Sequence, residues 1–314
     1  MAPVDHVRDS VKQIDKASWL IGSEHVLRHI QGPCEDGCLW KNSSDSSYYT
    51  LSAAPIPLPD VRPFPPDTHV RQIHDTGDAS AVFSFGDVLI LKVRLADEGT
   101  RREHETLAFL AEKQLSFDVP TVLFHTEEAG KIYLFEPFIS GKRLNEAWWG
   151  MAEEEKEHVV TRVSEICFEL QSFRTNVLTR IDHNWMDPFR EQRNYGAEAL
   201  QKHCEELGMD CSTFVLSHND LGPTNIIVNG DRIAVLDWEL AGYCPLAWVR
   251  TKFAICGALH AERIRNTTVE TNSEYRVRVE QKLGDMGFPE VTEAYKRMKK
   301  ERYEEWKRNR PWLQ

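Results

Sequence analysis

The sequence predicts an α+β protein with two lobes, a small and mostly antiparallel β lobe followed by a larger, mainly helical lobe. Two observations indicate this class. Short β-like runs separated by turn-forming pairs begin near Val70 and continue to Pro137, with one helical stretch among them. After Gly141 the apolar residues recur with the helical period instead. Strands and helices segregated along a chain in this way are typical of α+β proteins.

Composition is that of an ordinary globular protein. The chain has 314 residues, of which 41% are hydrophobic and 28% charged, and its formal net charge is -11. This acidic balance argues against partners such as nucleic acid or an anionic membrane surface, which favour basic proteins. The N-terminal residues are mixed and charged, so we expect no signal peptide, and no run approaches the length of a membrane span. We therefore expect a cytoplasmic location.

The seven cysteines are scattered and show no zinc-site spacing. Cys34 and Cys38 could be metal ligands, but no second pair accompanies them. Reduced thiols are the expectation that fits a cytosolic protein best.

Three segments are expected along the chain. Residues 1–66 look like an extension, in which a short helical pattern at Val11, Ile14 and Trp19 leads to a connector rich in proline. Residues 67–138 should form the N-lobe, and residues 139–314 the C-lobe.

The N-lobe is predicted to hold five strands and one helix in the order β-β-β-α-β-β. The strands are expected at 70–73, 81–85, 88–93, 121–125 and 131–137, and the helix at 101–114. In the C-lobe the clearest helix is marked by an apolar stripe. Its members are Val159, Val163, Ile166, Cys167, Leu170 and Phe173.

The segment after 216 carries the chemistry. His218-Asn219-Asp220 is followed by Asn225, and Asp237 stands twelve residues further on. A phosphoryl-transfer site needs a carboxylate to receive the acceptor hydroxyl's proton, and oxygen ligands for magnesium. Asp220 is the candidate catalytic base, and Asn225 and Asp237 are the candidate metal ligands. A His beside an Asx-turn is the simpler explanation of residues 218–220 alone, but not of all three positions together.

A β-hairpin is predicted between the two candidate ligands. Asn225 opens the run Ile226–Val228, and Asp237 closes the run 233–236, with a turn at Asn229-Gly230-Asp231. Such a hairpin brings Asn225 and Asp237 side by side at one end of the strand pair.

These residues resemble the aminoglycoside phosphotransferase family and its choline-kinase-like relatives, which share the protein kinase-like fold. The resemblance is carried by His218-Asn219-Asp220-Leu221, Asn225 and Leu236-Asp237-Trp238-Glu239, with Asn219 where the family usually has Gly. The later segment 241–248 is similar to fungal members in particular. The resemblance spans residues 70–260 and implies that ATP and Mg²⁺ are the cofactors.

The resemblance also implies roles for N-lobe residues, which would form the nucleotide-binding lobe. Lys92 would bind the α- and β-phosphates, and Glu103 on the following helix would be its partner. Glu136 and Phe138 would lend backbone groups to adenine. The loop from Gly77 to Ser80 could cover the phosphates, although neither a GxGxxG nor a P-loop motif is present.

The function implied is transfer of the γ-phosphate of ATP to a hydroxyl of a small molecule, bound by residues of the C-lobe. Three alternatives remain at this point: a pseudokinase or nucleotide-binding module without phosphoryl transfer, a kinase-like fold adapted to another pathway step, and a protein kinase. The His-Arg-Asp, Asp-Phe-Gly and Ala-Pro-Glu motifs of protein kinases are absent. The acceptor and the oligomeric state do not follow from the sequence.

Overall fold

The computed structural model describes residues 6–34, 37–42, 45–63, 69–96, 102–181, 197–265 and 268–309. The chain divides into two units, Met1–Thr100 with Pro120–Ser140, and Arg101–Val119 with Gly141–Gln314. Antiparallel sheets make up the first unit and helices dominate the second. The predicted α+β class is therefore confirmed.

The first unit begins with a five-stranded antiparallel sheet that the sequence did not predict. In spatial order β1-β2-β3-β5-β4, its strands are β1 Val11–Asp15, β2 Ser18–Ile21, β3 His25–Gln31, β4 Trp40–Asn42 and β5 Ser47–Ala53. The helical pattern expected at Val11, Ile14 and Trp19 is wrong. The Asp15 carboxylate accepts a hydrogen bond from the Ala17 N–H at 2.8 Å, and this turn lets β2 fold back onto β1.

A second antiparallel sheet follows in the same unit, in the order β6-β7-β8-β10-β9. Its strands are β6 Val70–Asp75, β7 Ser80–Phe85, β8 Leu89–Leu95, β9 Phe124–Glu128 and β10 Lys131–Pro137. The helix α1, Glu103–Ala111, is inserted between β8 and β9 along the chain and belongs to the second unit. The predicted β-β-β-α-β-β order is thus confirmed.

The two sheets of the first unit share one apolar core. It contains buried residues of the first sheet and its leading turn (Val7, Val11, Trp19, Ile21, Leu27, Tyr49) and of the second sheet (Val70, Ala81, Phe83, Phe85, Leu89, Leu91, Val93, Tyr133, Phe135). Each fully buried side chain of this size contributes about 1.5–3 kcal/mol through the hydrophobic effect. Residues 11–53 are therefore part of a folded unit, where the sequence indicated an extension.

The second unit is built on helices. They are α2 Leu144–Ala147, α3 Glu153–Leu170, α4 Ala197–Glu206, α5 Leu246–Ile255, α6 Glu274–Asp285 and α7 Thr292–Arg308, after α1. The helix predicted from its apolar stripe is α3, whose buried face includes Val159, Val163, Ile166, Cys167 and Leu170. Its start is closed by the Glu155 carboxylate, which accepts a hydrogen bond from the Ala152 N–H at 2.7 Å. No helix among the described residues is long and apolar enough to cross a membrane.

Short strands of the second unit form three small sheets. The first has the order β11-β14-β15 and contains Lys142–Arg143, Ile226–Asn229 and Arg232–Val235. The second has the order β12-β13-β16 and contains Arg174–Thr175, Phe214–Ser217 and Gly242–Pro245. The last pairs β17 Ala261–Arg265 with β18 Thr268–Asn272.

The expectation that all cysteines are reduced thiols is wrong for two of them. Cys34 and Cys38 form a disulfide, and their Cα atoms, 6.5 Å apart, lie within the usual range for such a bond. The other five, Cys167, Cys204, Cys211, Cys244 and Cys256, are free thiols.

We expect that Ile21→Ala destabilises the protein by about 2–5 kcal/mol, because it leaves a cavity in the shared core where Ile21 is 2% exposed. Ile56→Ala is the matched control, since Ile56 is 99% exposed and its truncation should change stability by less than about 0.5 kcal/mol. Urea unfolding followed by circular dichroism measures both. Equal effects would show that the first sheet is not part of the core.

Candidate functional site

The predicted base lies in a loop that leaves a buried strand. Strand β13 pairs with β12 on one side and β16 on the other, and its residues Phe214 to Leu216 are buried. The chain then turns through His218, Asn219 and Asp220, where His218 and Asn219 are buried and Asp220 is half-buried. The strand thus anchors the loop while the Asp220 side chain remains partly accessible.

His218 supports the loop from beneath as a neutral imidazole. Its Nδ1 accepts a hydrogen bond from the Asp220 N–H at 3.2 Å, so its Nε2 carries the proton and donates to the Leu236 carbonyl at 2.8 Å. Burial lowers the pKa of His218, although the bond to Leu236 and the nearby carboxylates of Asp220, Asp237 and Glu103 act in the opposite direction. The histidine therefore links the loop to the residue that precedes Asp237.

Three consecutive carbonyls of the loop each accept a side-chain hydrogen bond. Lys252 Nζ donates to the Asn219 carbonyl, Asn225 Nδ2 donates to the Asp220 carbonyl at 2.9 Å, and Tyr275 Oη donates to the Leu221 carbonyl at 3.0 Å. Lys252 and Tyr275 are both buried, and burial raises the pKa of Tyr275. Together with His218, these groups fix the backbone on both sides of the Asp220 side chain.

Asn219 adopts a left-handed backbone conformation, with φ of 61°. Glycine and asparagine occupy this region more readily than other residues, so the backbone here is compatible with Asn219. Its side-chain Nδ2 donates to the carbonyls of Ser217 at 3.3 Å and Leu240 at 3.2 Å. Asn219 therefore joins the loop to the segment after Asp237.

The predicted hairpin is present and carries both candidate metal ligands at one end. Strands β14 and β15 pair in antiparallel register with Ile226 opposite Val235. The next hydrogen bond runs from the Leu236 N–H to the Asn225 carbonyl at 2.8 Å, so Asp237 lies one residue beyond the position opposite Asn225. Because Asn225 uses Nδ2 to bind the Asp220 carbonyl, its Oδ1 is the atom available to a cation.

Asp237 also has a left-handed backbone, with φ of 61°. A non-glycine residue in this conformation is strained and needs support from its neighbours. The support comes from Trp238, which is fully buried, stacks on Phe117 at 6.1 Å between ring centroids, and donates Nε1–H to the Val235 carbonyl at 2.9 Å. The backbone N–H of Trp238 donates to Glu103 Oε1, also at 2.9 Å.

Within the second unit, Glu103 holds the backbone that follows Asp237. It stands at the start of α1 and is buried, and its carboxylate accepts the amide hydrogen of the residue after Asp237. Its predicted pairing with Lys92 stays a prediction.

In the first unit, Lys92 lies in the middle of β8, opposite Leu134 of β10. Its Nζ contacts the Glu136 carboxylate at 3.2 Å from Oε2 and 3.3 Å from Oε1. The side chain of Glu136 is 4% exposed and that of Lys92 22% exposed. Only the backbone of Glu136 was expected to act, so this ion pair was not predicted from the sequence. An acidic residue directly after the apolar run 132–135 was the available signal.

The other predicted nucleotide-binding residues also lie in the first unit. The backbone N–H of Phe138 donates to the Val88 carbonyl at 2.9 Å. Ser80 closes the loop that begins at Thr76, since their hydroxyl oxygens are 2.6 Å apart and the Thr76 N–H donates to the Ser80 carbonyl at 3.0 Å. Gly77 has φ of 67° within this loop.

Two residues that position the loop were missed in the sequence. Lys252 is a lysine within the apolar helix α5, and Tyr275 lies in the first turn of α6. A lysine within a mostly apolar helical segment was a usable signal for Lys252. Nothing in the sequence distinguishes Tyr275 from an ordinary core aromatic.

Comparisons with known proteins agree with the motif. The family model described as the phosphotransferase enzyme family matches residues 61–248. Among curated proteins no match to the chain was found.

Several solved structures are similar to the chain. One is the streptomycin–ATP–APH(2'')-IIa ternary complex, with 19% identity, 68% of this chain and 76% of that chain covered, and a TM-score of 0.47. Another is ADP-bound aminoglycoside phosphotransferase APH(2'')-Ib, with 17% identity, coverage of 68% and 77%, and a TM-score of 0.46. A third is aminoglycoside phosphotransferase APH(3'')-Id from Streptomyces rimosus, with 17% identity, coverage of 60% and 78%, and a TM-score of 0.43.

We expect that Glu103→Ala destabilises the protein by about 1–3 kcal/mol, because the buried Trp238 N–H loses its acceptor. Glu105→Ala is the matched control on the same helix, where the side chain is 40% exposed and the change should be below about 0.5 kcal/mol. Chemical denaturation of both variants provides the comparison. A Glu103→Ala variant as stable as Glu105→Ala would refute the role of this hydrogen bond.

The state of His218 predicts a pH dependence of stability. Because its folded-state pKa lies below the unfolded value of about 6.5, the unfolded chain binds more protons, and the free energy of unfolding falls as pH drops below about 6.5. Replacing His218 by Gln should reduce this fall between pH 7.5 and 5.5. The exposed His158 on α3 is the control, and His158→Gln should leave the profile unchanged. Superimposable profiles for His218→Gln and the unmodified protein would contradict a buried neutral imidazole.

Proposed function

The chain belongs to the phosphotransferase enzyme family, whose model matches more than half of its length, and from this premise we propose that it transfers the γ-phosphate of ATP to a hydroxyl of a small molecule. In this proposal Asp220 is the catalytic base. It accepts the proton of the acceptor hydroxyl while the hydroxyl oxygen forms its bond to the γ-phosphorus and ADP leaves.

The observation that carries this proposal is the hydrogen bond from Asn225 Nδ2 to the Asp220 carbonyl. It couples the proposed base to a proposed metal ligand, so that both are positioned by one contact. A phosphoryl-transfer site works mainly by positioning and by compensating charge, which makes a rigid loop valuable. A positioned general base typically contributes about 10²–10⁴-fold to the rate.

The donor set at the hairpin end fits Mg²⁺, a hard cation that prefers oxygen ligands. We propose that Asn225 Oδ1 and the Asp237 carboxylate hold it. When bound, the ion would compensate the negative charge of the phosphates. The left-handed backbone of Asp237, and the Trp238 amide bound to Glu103, are the features of the chain that would orient the carboxylate.

We propose the following nucleotide contacts because the chain belongs to the phosphotransferase enzyme family. Lys92 would bind the α- and β-phosphates, with Glu103 as its partner. Glu136 and Phe138 would offer backbone groups to adenine, and the loop ending at Ser80 would cover the phosphates. The ion pair between Lys92 and Glu136 supports an orienting role for Glu136, since a buried carboxylate beside a lysine restricts its ammonium group.

The acceptor is proposed as a small molecule with a free hydroxyl, and the net charge of -11 favours a cationic one. We propose that residues between 148 and 195 and the C-terminal third of the chain bind it, and residues 182–195 of this segment lie outside the described residues. From the resemblance of residues 241–248 to fungal members, we also propose that the chain is a fungal-type member of the family.

We expect that Asp220→Ala lowers ATP turnover by at least about 10²-fold and leaves nucleotide affinity nearly unchanged, since only the base is removed. Asp237→Ala should instead weaken Mg²⁺-dependent nucleotide binding. Turnover is measured as ATP consumption across a panel of amino alcohols, sugars, aminoglycosides and peptides. Nucleotide affinity is measured by calorimetric titration with ATP in Mg²⁺ and in EDTA.

Asp231→Ala is the matched control for both variants, because Asp231 is an exposed residue of the hairpin turn between them. It should keep full turnover and affinity. Full activity of Asp220→Ala would rule out its role as base. Nucleotide binding by the unmodified chain without transfer to any acceptor would favour a pseudokinase.

A further inference from the structure

A second candidate site lies in the first unit, where the turn between β2 and β3 meets the hairpin of β9 and β10. Glu128 ends β9 and is 7% exposed. Its Oε1 accepts hydrogen bonds from both the N–H of Ser23, at 2.6 Å, and the Ser23 hydroxyl. One oxygen of this carboxylate is therefore fully engaged by the facing turn.

The other oxygen of Glu128 is in a different situation. Oε2 is buried, and no hydrogen-bond donor among the described residues reaches it. Burying a charged oxygen without a donor or a counter-charge is costly, so a partner is expected.

The turn is shaped to leave room for this oxygen. Gly22 has φ of 59°, and a Cβ atom at this position would lie 2.4 Å from Glu128 Oε2. Only glycine therefore allows the carboxylate to approach the turn so closely.

Two further ligand groups lie near the Glu128 carboxylate. Glu24 and His25 each offer one ligand atom, and these atoms and the Glu128 oxygen all lie within 4.8 Å of one another. The backbone that carries them is fixed, since the Glu24 carbonyl accepts a hydrogen bond from the Ala54 N–H at 2.7 Å. The His25 ring packs edge to face on Phe124, with 5.1 Å between ring centroids.

The chemistry of this group indicates a particular cation. Two carboxylates supply a charge that a divalent ion would neutralise, and the imidazole favours Zn²⁺ over Mg²⁺ or Ca²⁺. In a tetrahedral site with bonds of about 2.0–2.2 Å, the ligand atoms are about 3.4 Å apart, so closure requires side-chain movements on the order of 1 Å. Three protein ligands leave the fourth position to water.

We propose that Glu24, His25 and Glu128 form a Zn²⁺ site that clamps the two sheets of the first unit together. Glu24 and His25 belong to the turn and first strand position of the first sheet, whereas Glu128 belongs to the second sheet. The bond from Ser23 to Oε1 explains how the turn and hairpin are held in register, and the cation is the partner of Oε2. This site is independent of the proposed phosphoryl transfer.

The test is a calorimetric titration of metal-free, full-length protein with Zn²⁺ in the presence of excess Mg²⁺, which occupies oxygen-only sites. The unmodified chain should bind one Zn²⁺ saturably, and its melting temperature should rise with Zn²⁺ concentration. Glu24→Gln should weaken this binding at least about tenfold, and Glu128→Gln should abolish it. Because Glu24 is exposed, its variant keeps the fold and makes the test independent of stability.

Glu127→Gln is the matched control, since it removes the same charge from the neighbouring, exposed position of β9. It should bind Zn²⁺ like the unmodified chain. No saturable binding, or equal affinities for Glu24→Gln and Glu127→Gln, would overturn the proposal. If cysteine thiols bound the Zn²⁺ instead, Glu24→Gln and Glu127→Gln would have equal affinities. An equal melting shift with Ca²⁺ would overturn the assignment to zinc.

Discussion

The candidate site depends on the hydrogen bonds that fix residues 218–221. Each carbonyl from Asn219 to Leu221 accepts a bond from a side chain, and the Asp220 N–H donates to His218. Two of these donors, Lys252 and Tyr275, come from the distant helices α5 and α6, and the third, Asn225, immediately precedes β14. The loop is thus held by several elements of the second unit at once. These hydrogen bonds fix its backbone without any ligand.

Hydrogen bonds from the same loop also reach the hairpin and the segment after it. His218 contacts the Leu236 carbonyl, Asn219 contacts the Leu240 carbonyl, and Glu103 accepts the Trp238 N–H. Two non-glycine residues with left-handed backbones, Asn219 and Asp237, are stabilised by these bonds. Strain that is retained in this way is characteristic of functional sites. The proposed base and metal ligands are therefore parts of one hydrogen-bonded network, and not three separate residues on loops.

The hairpin at 226–235 was predictable because turn residues between two short apolar runs are local signals. So were helix α3 and the β-β-β-α-β-β order of elements along the chain from β6 to β10. The first sheet was not, because Val11, Ile14 and Trp19 also fit a helical period and the segment that follows is rich in Ser, Gly and Pro. The contacts of Lys252 and Tyr275 were hidden because they join residues separated by 33 and 54 positions. The ion pair of Lys92 with Glu136 depends on strand register, which spacing along the chain does not reveal.

Phosphoryl transfer by this network to a small molecule, as proposed above, would be directly visible by ³¹P NMR. The full chain would be incubated with ATP, Mg²⁺ and a panel of hydroxyl acceptors. We expect the γ-phosphate signal of ATP to be replaced by ADP signals and an equal amount of a new phosphate monoester. Unchanged ATP, or release of inorganic phosphate alone with every acceptor, would contradict it.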